Sequence, residues 1–238
     1  MNPLVIKLGH RDHLLDEEIA VLEDCLLPPR LLKAGQDLVR EHDQPKESTL
    51  MLTGYSARYN MFEDGRRQIT AIHMGGDFID LHSFLLRPMD HSIVALTDCT
   101  VAGMPHESIK MITEQYPHLG RMFWLSTLID AAIYRRWLVS MGRQSAAAQL
   151  AHLLCEFWTR MDVIGLVDDY SFQMPCTQAD LADVLGISLV HVNRVVQELR
   201  REELVTWSGR KLTILDWNRL TEFAEFDPDY LNLTAAPR

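Results

Sequence analysis

Residues 177–199 carry the pattern that most constrains the fold: two short amphipathic stretches joined by one glycine, TQADLADVLGISLVHVNRVVQEL. Thr177 and Ser188 each precede one of these stretches, where a hydroxyl side chain can cap the N-terminus of a helix. Gly186 supplies the turn between the two predicted helices. This pattern is typical of a helix-turn-helix, whose second helix enters the major groove of DNA with its N-terminus leading. A small helical domain of no particular function is the alternative.

The second predicted helix separates an apolar face from a more polar one. Its apolar residues recur at helical spacing and are expected to face inward. These are Val192, Val195, Val196 and Leu199. The outer surface is then left to Leu189, Val190, His191, Asn193, Arg194 and Gln197.

A predicted β-hairpin follows the two helices. The strand-like runs 204–207 and 211–215 flank Ser208-Gly209-Arg210, which reads as a turn with a basic tip. A helix-turn-helix followed by a hairpin is a winged helix. This order favours the winged fold over an unspecified helical domain.

The N-terminal half is rich in short β-like runs. After a short helix predicted over residues 16–26, the stretch 32–104 is divided by turn dipeptides such as Ala34-Gly35 and Asp64-Gly65. Asp64-Gly65 lies between SARYNMF and RQITAIHM and is the strongest hairpin signal in the chain. Such spacing predicts an antiparallel roll or barrel.

Residues 117–141 read as one long helix with apolar residues on more than one face. One stripe holds Leu125, Ile129, Ala132 and Val139, and another holds Trp124, Leu128, Ala131 and Leu138. One face can cover the β domain, and a second copy of the chain is the economical partner for the other. A helix wholly buried within a monomer is the alternative. The predicted dimer interface comprises Leu125, Leu128, Ile129, Ala132 and Val139.

These elements predict an α+β protein in three parts. Residues 1–116 form an antiparallel β-roll with a sensor role, and residues 117–143 form the long dimerisation helix and a hinge. Gly142 is expected to interrupt that helix and to mark the hinge, before a new helix over 146–161. Residues 144–238 then form the winged helix-turn-helix domain, closed by a helix over 216–226.

The charge pattern requires a focused rather than a diffuse nucleic-acid site. The chain has a formal net charge of −10, which argues against indiscriminate binding to phosphates. Acidic and basic residues balance within residues 177–212. Attraction to DNA phosphates must therefore come from the positions of individual cations rather than from net charge. Arg194 on the outer helix face, with Arg210 and Lys211 on the hairpin, are the candidate contacts.

Several other classes of protein are disfavoured. No apolar run approaches the ~20 residues that cross a membrane, and the first residues become charged too early for a secretory signal. A cytoplasmic protein without membrane contact is therefore expected. The four cysteines form no C-x-x-C pair and are expected to be buried free thiols. We find no fingerprint of a nucleophile, a dinucleotide or a metalloprotease, so we predict that the chain is not an enzyme.

In this order the elements resemble the Crp/Fnr family of bacterial transcription regulators, over nearly the whole chain. The strings that carry the resemblance are GDFIDLHSFL at 76–85, DHSIVAL at 90–96 and LADVLGISLVHVNRVVQELRREELV at 181–205. The resemblance implies a β-roll like a cyclic-nucleotide-binding domain and a homodimer paired through the long helix. It also implies a palindromic site in double-stranded promoter DNA with half-sites ~34 Å apart, and makes RNA polymerase a candidate partner. A small-molecule or haem-binding sensor without direct DNA binding is the alternative.

The resemblance breaks down at the effector site. Family members that bind cyclic AMP carry a glutamate and an Arg-Ser pair in the phosphate-binding segment, and here Leu81 and His91-Ser92 take those places. The missing guanidinium and carboxylate argue against cyclic AMP. We assign an effector pocket to Asp80, Leu81, His82, His91 and Ser92 and leave its ligand open. No cofactor is required, and a haem would have only His73, His82 and His91 of the roll as ligands.

The predicted recognition helix also departs from its relatives. A glutamate common near its start is replaced by Val190, whereas the arginine four residues later is kept as Arg194. Arg194 can donate to guanine, and Leu189 or Val190 can contact a thymine methyl group. Thr177 and Gln178 are better placed for phosphates. The complete predicted DNA-binding set is Thr177, Gln178, Ser188, Leu189, Val190, His191, Asn193, Arg194, Arg210 and Lys211.

Overall fold

The computed structural model describes residues 2–238. The chain divides into two compact units. Residues up to Ala131 and the tail Leu233–Arg238 form the first unit, and Ala132–Asn232 form the second.

The first unit is a mixed helical and antiparallel β structure, as the sequence predicts. Its helices are α1 (Pro3–Gly9), α2 (Asp16–Asp24), α3 (His106–Gln115) and the start of α4 (Pro117–Arg143), and a 3-10 turn covers Leu81–Phe84. Its strands are β1 (Arg30–Leu32), β2 (Asp37–Val39), β3 (Glu47–Thr53), β4 (Ser56–Met61), β5 (Arg67–His73), β6 (Ser92–Ala95) and β7 (Cys99–Pro105).

These strands form two antiparallel sheets, with orders β1-β7-β3 and β2-β6-β4-β5. The hairpin predicted at Asp64-Gly65 is confirmed, because β4 pairs with β5 from Ser56 opposite His73 to Met61 opposite Arg67. Gly65 has a φ of 83°, a left-handed conformation that a side chain disfavours. The roll therefore closes through turns that the sequence marks with glycine.

Two apolar clusters hold the first unit together. One lies among the strands and includes Met51, Ile93 and Val101. The other joins the N-terminal helices to α3 and α4 and includes Leu4, Leu22, Leu50, Ile112 and Phe123. Sequence analysis missed α1, whose seven residues are too few to show a clear helical period.

The expectation that Gly142 interrupts the long helix is wrong, because α4 runs through Gly142 and ends at Arg143. One glycine costs a helix only about 1 kcal/mol, which neighbouring turns can offset. The break comes later, where the Ser145 hydroxyl accepts a hydrogen bond from the backbone N–H of Ala148 and starts the next helix. The cap of the following helix, rather than the glycine, sets the boundary.

The second unit is built on helix α5 (Ala146–Val163), which packs against α6 (Gln178–Leu185), α7 (Leu189–Arg201) and α8 (Trp217–Phe223). A four-stranded antiparallel sheet has the order β10-β11-β9-β8. Its strands are β8 (Val167–Asp168), β9 (Ser171–Gln173), β10 (Val205–Ser208) and β11 (Lys211–Ile214). A 3-10 turn over Pro228–Leu231 follows α8.

A buried carboxylate joins three segments of this second unit. Glu156 of α5 has no exposed surface and accepts hydrogen bonds from the indole N–H of Trp137 at 2.9 Å and the Tyr230 hydroxyl at 2.8 Å. Arg160, one turn further along α5, donates to its other oxygen at 3.0 Å. A buried carboxylate is stable only when it is paired and hydrogen-bonded in this way.

The four cysteines are free thiols, as expected, but the expectation that all four are buried is wrong for Cys25. Cys99, Cys155 and Cys176 are buried free thiols, whereas Cys25 is half-buried. Burial raises the pKa of both Cys155 and Cys176, so neither is a ready nucleophile at neutral pH. Across residues 2–238, no helix combines the length and the apolar character needed to cross a membrane.

Replacing His152 with glutamine should reduce the loss of stability on acidification. Burial, assisted by the nearby Arg136 guanidinium, lowers the pKa of His152 to about 4. The unfolded imidazole titrates near ~6.5, so between these values the unfolded state binds more protons and the free energy of unfolding falls as pH falls. The wild-type protein should lose about 1–2 kcal/mol between pH 7 and pH 5 through this group. Urea unfolding followed by tryptophan fluorescence measures it.

Above about pH 8 the imidazole is neutral in both the folded and the unfolded state, so the wild type and His152→Gln should there show the same pH dependence. An unchanged slope in His152→Gln would contradict the assignment of the pH dependence to this buried ring.

Candidate DNA-binding surface

The first helix of the predicted motif begins at a reciprocal cap. The Thr177 hydroxyl accepts from the backbone N–H of Asp180 at 3.2 Å, and the Asp180 carboxylate accepts from the backbone N–H of Thr177 at 2.9 Å. Helix α6 ends at Leu185, and the next residue, Gly186, is left-handed with a φ of 65°. The predicted cap and turn are confirmed. The negatively charged Asp180 carboxylate stabilises the N-terminal end of this helix.

The second helix also begins where the sequence predicts. The Ser188 hydroxyl accepts from the backbone N–H of His191 at 3.2 Å, which fixes the first turn of α7. All four residues predicted to face inward are buried, namely Val192, Val195, Val196 and Leu199. Because the start and the inner face are both fixed, the direction of the outer face is fixed as well.

The outer face of α7 is exposed and mixes apolar with cationic groups. Val190 is 68% exposed and Leu189 is 47% exposed. Arg194 is exposed beside them, whereas the Asn193 amide nitrogen donates to the backbone carbonyl of Leu189 at 3.0 Å. A shallow groove is lined by Val190, His191, Asn193, Arg194, Val195, Gln197, Glu198 and Arg201. Glu198 and Arg201 were not predicted as site residues, although their spacing on α7 places them one and two turns beyond Arg194.

A second concavity brings the start of α6 together with the wing. It is lined by Met174, Cys176, Thr177, Gln178, Arg200, Trp207, Gly209 and Arg210. Three predicted residues, Thr177, Gln178 and Arg210, therefore share one surface. Sequence analysis missed Arg200, whose guanidinium donates to the backbone carbonyl of Trp207, because that contact depends on how α7 meets the wing.

The wing has the predicted hairpin. Strands β10 and β11 pair from Val205 opposite Ile214 to Ser208 opposite Lys211, which leaves Gly209-Arg210 as a two-residue turn. Gly209 is left-handed, and its carbonyl accepts from the Trp207 indole N–H at 2.9 Å. Arg210 and Lys211 are exposed, and Arg210 also donates to the Met174 carbonyl at 3.2 Å.

The five residues of the predicted effector pocket differ in burial and in their hydrogen-bond partners. Asp80 is buried and accepts from the backbone N–H of Thr49 at 2.5 Å, and burial raises its pKa to about 7. Leu81 packs against the apolar cluster of the helices, and the Ser92 hydroxyl accepts from the backbone N–H of Glu41 at 3.0 Å. His82 and His91 do meet, with ring centroids 5.1 Å apart.

The predicted dimer residues on α4 differ in exposure. Leu128 is 49% exposed and Val139 is 52% exposed, whereas Leu125 and Ala132 are half-buried. Ile129 is buried against its own chain. The more exposed members of the second stripe are Trp124 at 66% and Leu138 at 72%.

Two known domain families match the two halves of this fold. The Crp-like helix-turn-helix domain matches residues 148–223, which contain α6, α7 and the wing. The cyclic nucleotide-binding domain matches residues 29–116, which contain all seven strands of the roll.

Curated relatives and solved structures cover most of the chain. The transcriptional activator protein FnrL of Cereibacter sphaeroides is 28% identical over 217 residues, covering 90% of this chain and 86% of the relative. The nitrogen fixation regulation protein FixK of Bradyrhizobium diazoefficiens is 26% identical over 196 residues, covering 80% and 79%. The structure of FixK2 from Bradyrhizobium japonicum has the same fold, with a TM-score of 0.73 at 22% identity, and covers 82% of this chain and 96% of that one.

The capped recognition helix, the wing and the roll, together with these two family matches, define the class. The chain belongs to the Crp/Fnr family and is a DNA-binding transcription regulator.

Replacing Gly186 with alanine should destabilise the helix-turn-helix. A left-handed conformation costs an L-residue about 1–2 kcal/mol, and Gly186 has a φ of 65°. Gly142→Ala is the matched control, because Gly142 is helical and an added Cβ there meets nothing within 4 Å. It should stabilise the protein by about 0.5–1 kcal/mol.

Urea unfolding of both variants tests the pair. The turn geometry would be contradicted if Gly186→Ala stabilised the protein as Gly142→Ala is expected to do.

Proposed function

We propose that this regulator binds a palindromic site in double-stranded promoter DNA as a homodimer, with α7 of each copy in a major groove. The observation that carries the proposal is the position of Arg194. It is exposed on the outer face of a helix whose N-terminus is capped by Ser188 and whose opposite face is fully buried. Because such a helix is already ordered before DNA binds, its side chains can contact bases with a smaller loss of conformational entropy.

Arg194 is the group proposed to read sequence. Its guanidinium offers two parallel donors that match the O6 and N7 acceptors of guanine. Val190 and Leu189 offer only apolar contact, which suits a thymine methyl group. The Asn193 amide is a weaker candidate for a base, because its nitrogen already donates to Leu189.

Other residues at the surface of the unit are proposed to contact phosphates. Thr177 and Gln178 lie at the start of α6, where backbone N–H groups and the helix dipole favour an anion. Arg210 and Lys211 lie on the wing, and Ser188 and His191 lie at the start of α7. Contacts of this kind position the protein but carry no sequence information.

Arg194→Ala and Lys211→Ala should weaken DNA binding in different ways. Loss of Arg194 should cost about 1–3 kcal/mol of discrimination between the specific site and random DNA. Loss of Lys211 should weaken binding to all sequences alike and reduce the salt slope by about one. Gel shifts over a range of salt, on promoter fragments near the coding region and on random DNA, measure both quantities.

Lys110→Ala, which removes an exposed positive charge on α3, is the control for net charge and should change neither quantity. Equal loss on specific and random DNA in Arg194→Ala would contradict a base-reading role for this residue.

The dimer is proposed to pair through α4. Trp124, Leu128 and Leu138 are exposed although they are large and apolar, and they fall at heptad-compatible spacing on this one helix. An exposed apolar stripe on a long helix is best buried against a second copy. Leu125, Ala132 and Val139 would lie at its edge, whereas Ile129 is already covered by its own chain.

Leu138→Glu should convert the dimer to monomer, because it would place two carboxylates in the proposed interface. Sedimentation velocity measures the change, and specific DNA affinity should fall with it. Leu31→Glu is the matched control, since Leu31 is 82% exposed on β1 and lies outside α4. A Leu138→Glu protein that remains dimeric would contradict pairing through this stripe.

Activation is the output we expect, because the FnrL relative is named a transcriptional activator. Four further statements remain predictions: the protein contacts RNA polymerase, it is cytoplasmic, it is not an enzyme, and cyclic AMP is not its effector.

A further inference from the structure

The β-roll holds a cluster of two histidines and one aspartate that the DNA-binding function does not use. His82, Asp90 and His91 each offer one ligand atom, and these atoms all lie within 4.8 Å of one another. His82 lies in the 3-10 turn, and Asp90 and His91 lie immediately before β6. The two segments therefore bring together residues that are separated in sequence by a loop.

Two atoms of this cluster lack the partners that buried polar atoms require. The Nε2 atoms of His82 and His91 are buried and make no hydrogen bond within residues 2–238. His91 is only 6% exposed, so water cannot readily satisfy its ring. Buried nitrogen atoms without a partner are uncommon and carry a desolvation cost that a bound ligand removes.

Asp90 orients one of these rings. Its carboxylate and Nδ1 of His91 are 2.7 Å apart, with Nδ1–H donating to the carboxylate. This bond leaves Nε2 as the unprotonated nitrogen, which is the form that binds a metal ion. A carboxylate behind a histidine is also the usual second partner of a metal-bound imidazole. The Asp90 side chain itself is 86% exposed.

The surrounding backbone holds both segments in place. The Asn60 amide of β4 donates to the carbonyl of Asp90 at 2.9 Å, and β6 pairs with β4 at Ser92 opposite Tyr59. In the 3-10 turn, the Ser83 hydroxyl and His106 Nε2 are 3.2 Å apart. The two imidazoles are therefore carried by anchored segments rather than by free loop ends.

We propose that His82 and His91, the latter oriented by Asp90, form a binding site for a divalent transition-metal ion. Imidazole nitrogen ligands suit Zn²⁺, Co²⁺, Ni²⁺ or Fe²⁺ and do not suit Mg²⁺ or Ca²⁺. Two protein ligands leave the remaining positions open for water or another small ligand.

Neighbouring charges both favour and oppose the ion. Burial lowers the pKa of His82 to about 4, and the Arg58 guanidinium acts in the same direction, so this ring is neutral at pH 7. Burial also lowers the pKa of His91, again with Arg58, while Asp90 and Glu41 act against this shift. The Arg58 guanidinium repels a cation. The site therefore depends on the Asp90 carboxylate to balance the charge.

Titration of the full-length, chelator-treated protein with Zn²⁺ and with Co²⁺ tests the proposal. Calorimetry should show one Zn²⁺ per chain, and Co²⁺ should develop the visible absorption of an ion bound through nitrogen and oxygen. His82→Gln and His91→Gln should each lower the Zn²⁺ affinity by more than about 100-fold. Asp90→Asn should lower it by about 10–100-fold, because it weakens the orientation of His91.

His13→Gln is the matched control, since His13 is an exposed histidine of the same unit and should bind Zn²⁺ like the wild type. Thermal unfolding without metal checks the fold of each variant, and added Zn²⁺ should raise the Tm of wild type and of His13→Gln only. Equal Zn²⁺ binding by wild type and the His82→Gln, His91→Gln double variant would overturn the proposal. So would haem binding with no binding of Zn²⁺ or Co²⁺. Because no DNA is used, either result leaves the proposed DNA-binding function untouched.

Discussion

The buried carboxylate of Glu156 is the interaction on which the DNA-binding unit depends. It receives hydrogen bonds from Trp137 of α4, from Arg160 of its own helix and from Tyr230 in the turn after α8. An unpaired charge in that position would be costly, so the three donors hold their segments around α5. Helices α6, α7 and α8 all pack against α5, the helix that carries this carboxylate.

The candidate DNA-binding surface follows from two local rules in addition to that packing. Caps at Thr177 and Ser188 decide where α6 and α7 begin, and the left-handed Gly186 decides the turn between them. Once the valines of α7 are buried, helical geometry alone sends Arg194 outward. Capping, turn chemistry and burial all favour the same two helices and the same outward face. A short stretch of sequence is therefore enough to predict the helix-turn-helix motif.

Sequence analysis predicts the features that depend on residues close in sequence and misses those that depend on tertiary contacts. The caps, the Asp64-Gly65 hairpin and the buried valines of α7 were predictable because each depends on residues close in sequence. The end of α4 was not, because Gly142 is tolerated in the helix and Ser145 sets the break. The burial of Ile129 depends on which face of α4 docks, and the approach of His82 to His91 depends on how a 3-10 turn meets β6. Periodicity carries no information about either, and only the family resemblance placed His82 and His91 in one predicted pocket.

The small number of positive charges on the outer face of α7 affects how such a regulator would search a genome. Arg194 stands beside the apolar Leu189 and Val190, and nearby Asp180 is committed to a helix cap within a chain of net charge −10. Attraction to arbitrary sequence depends on cations that face phosphates, and Arg210 and Lys211 are the only cationic phosphate contacts proposed here. The protein would therefore stay bound to non-specific sequences only briefly, and non-specific chromosomal DNA would sequester few copies of it.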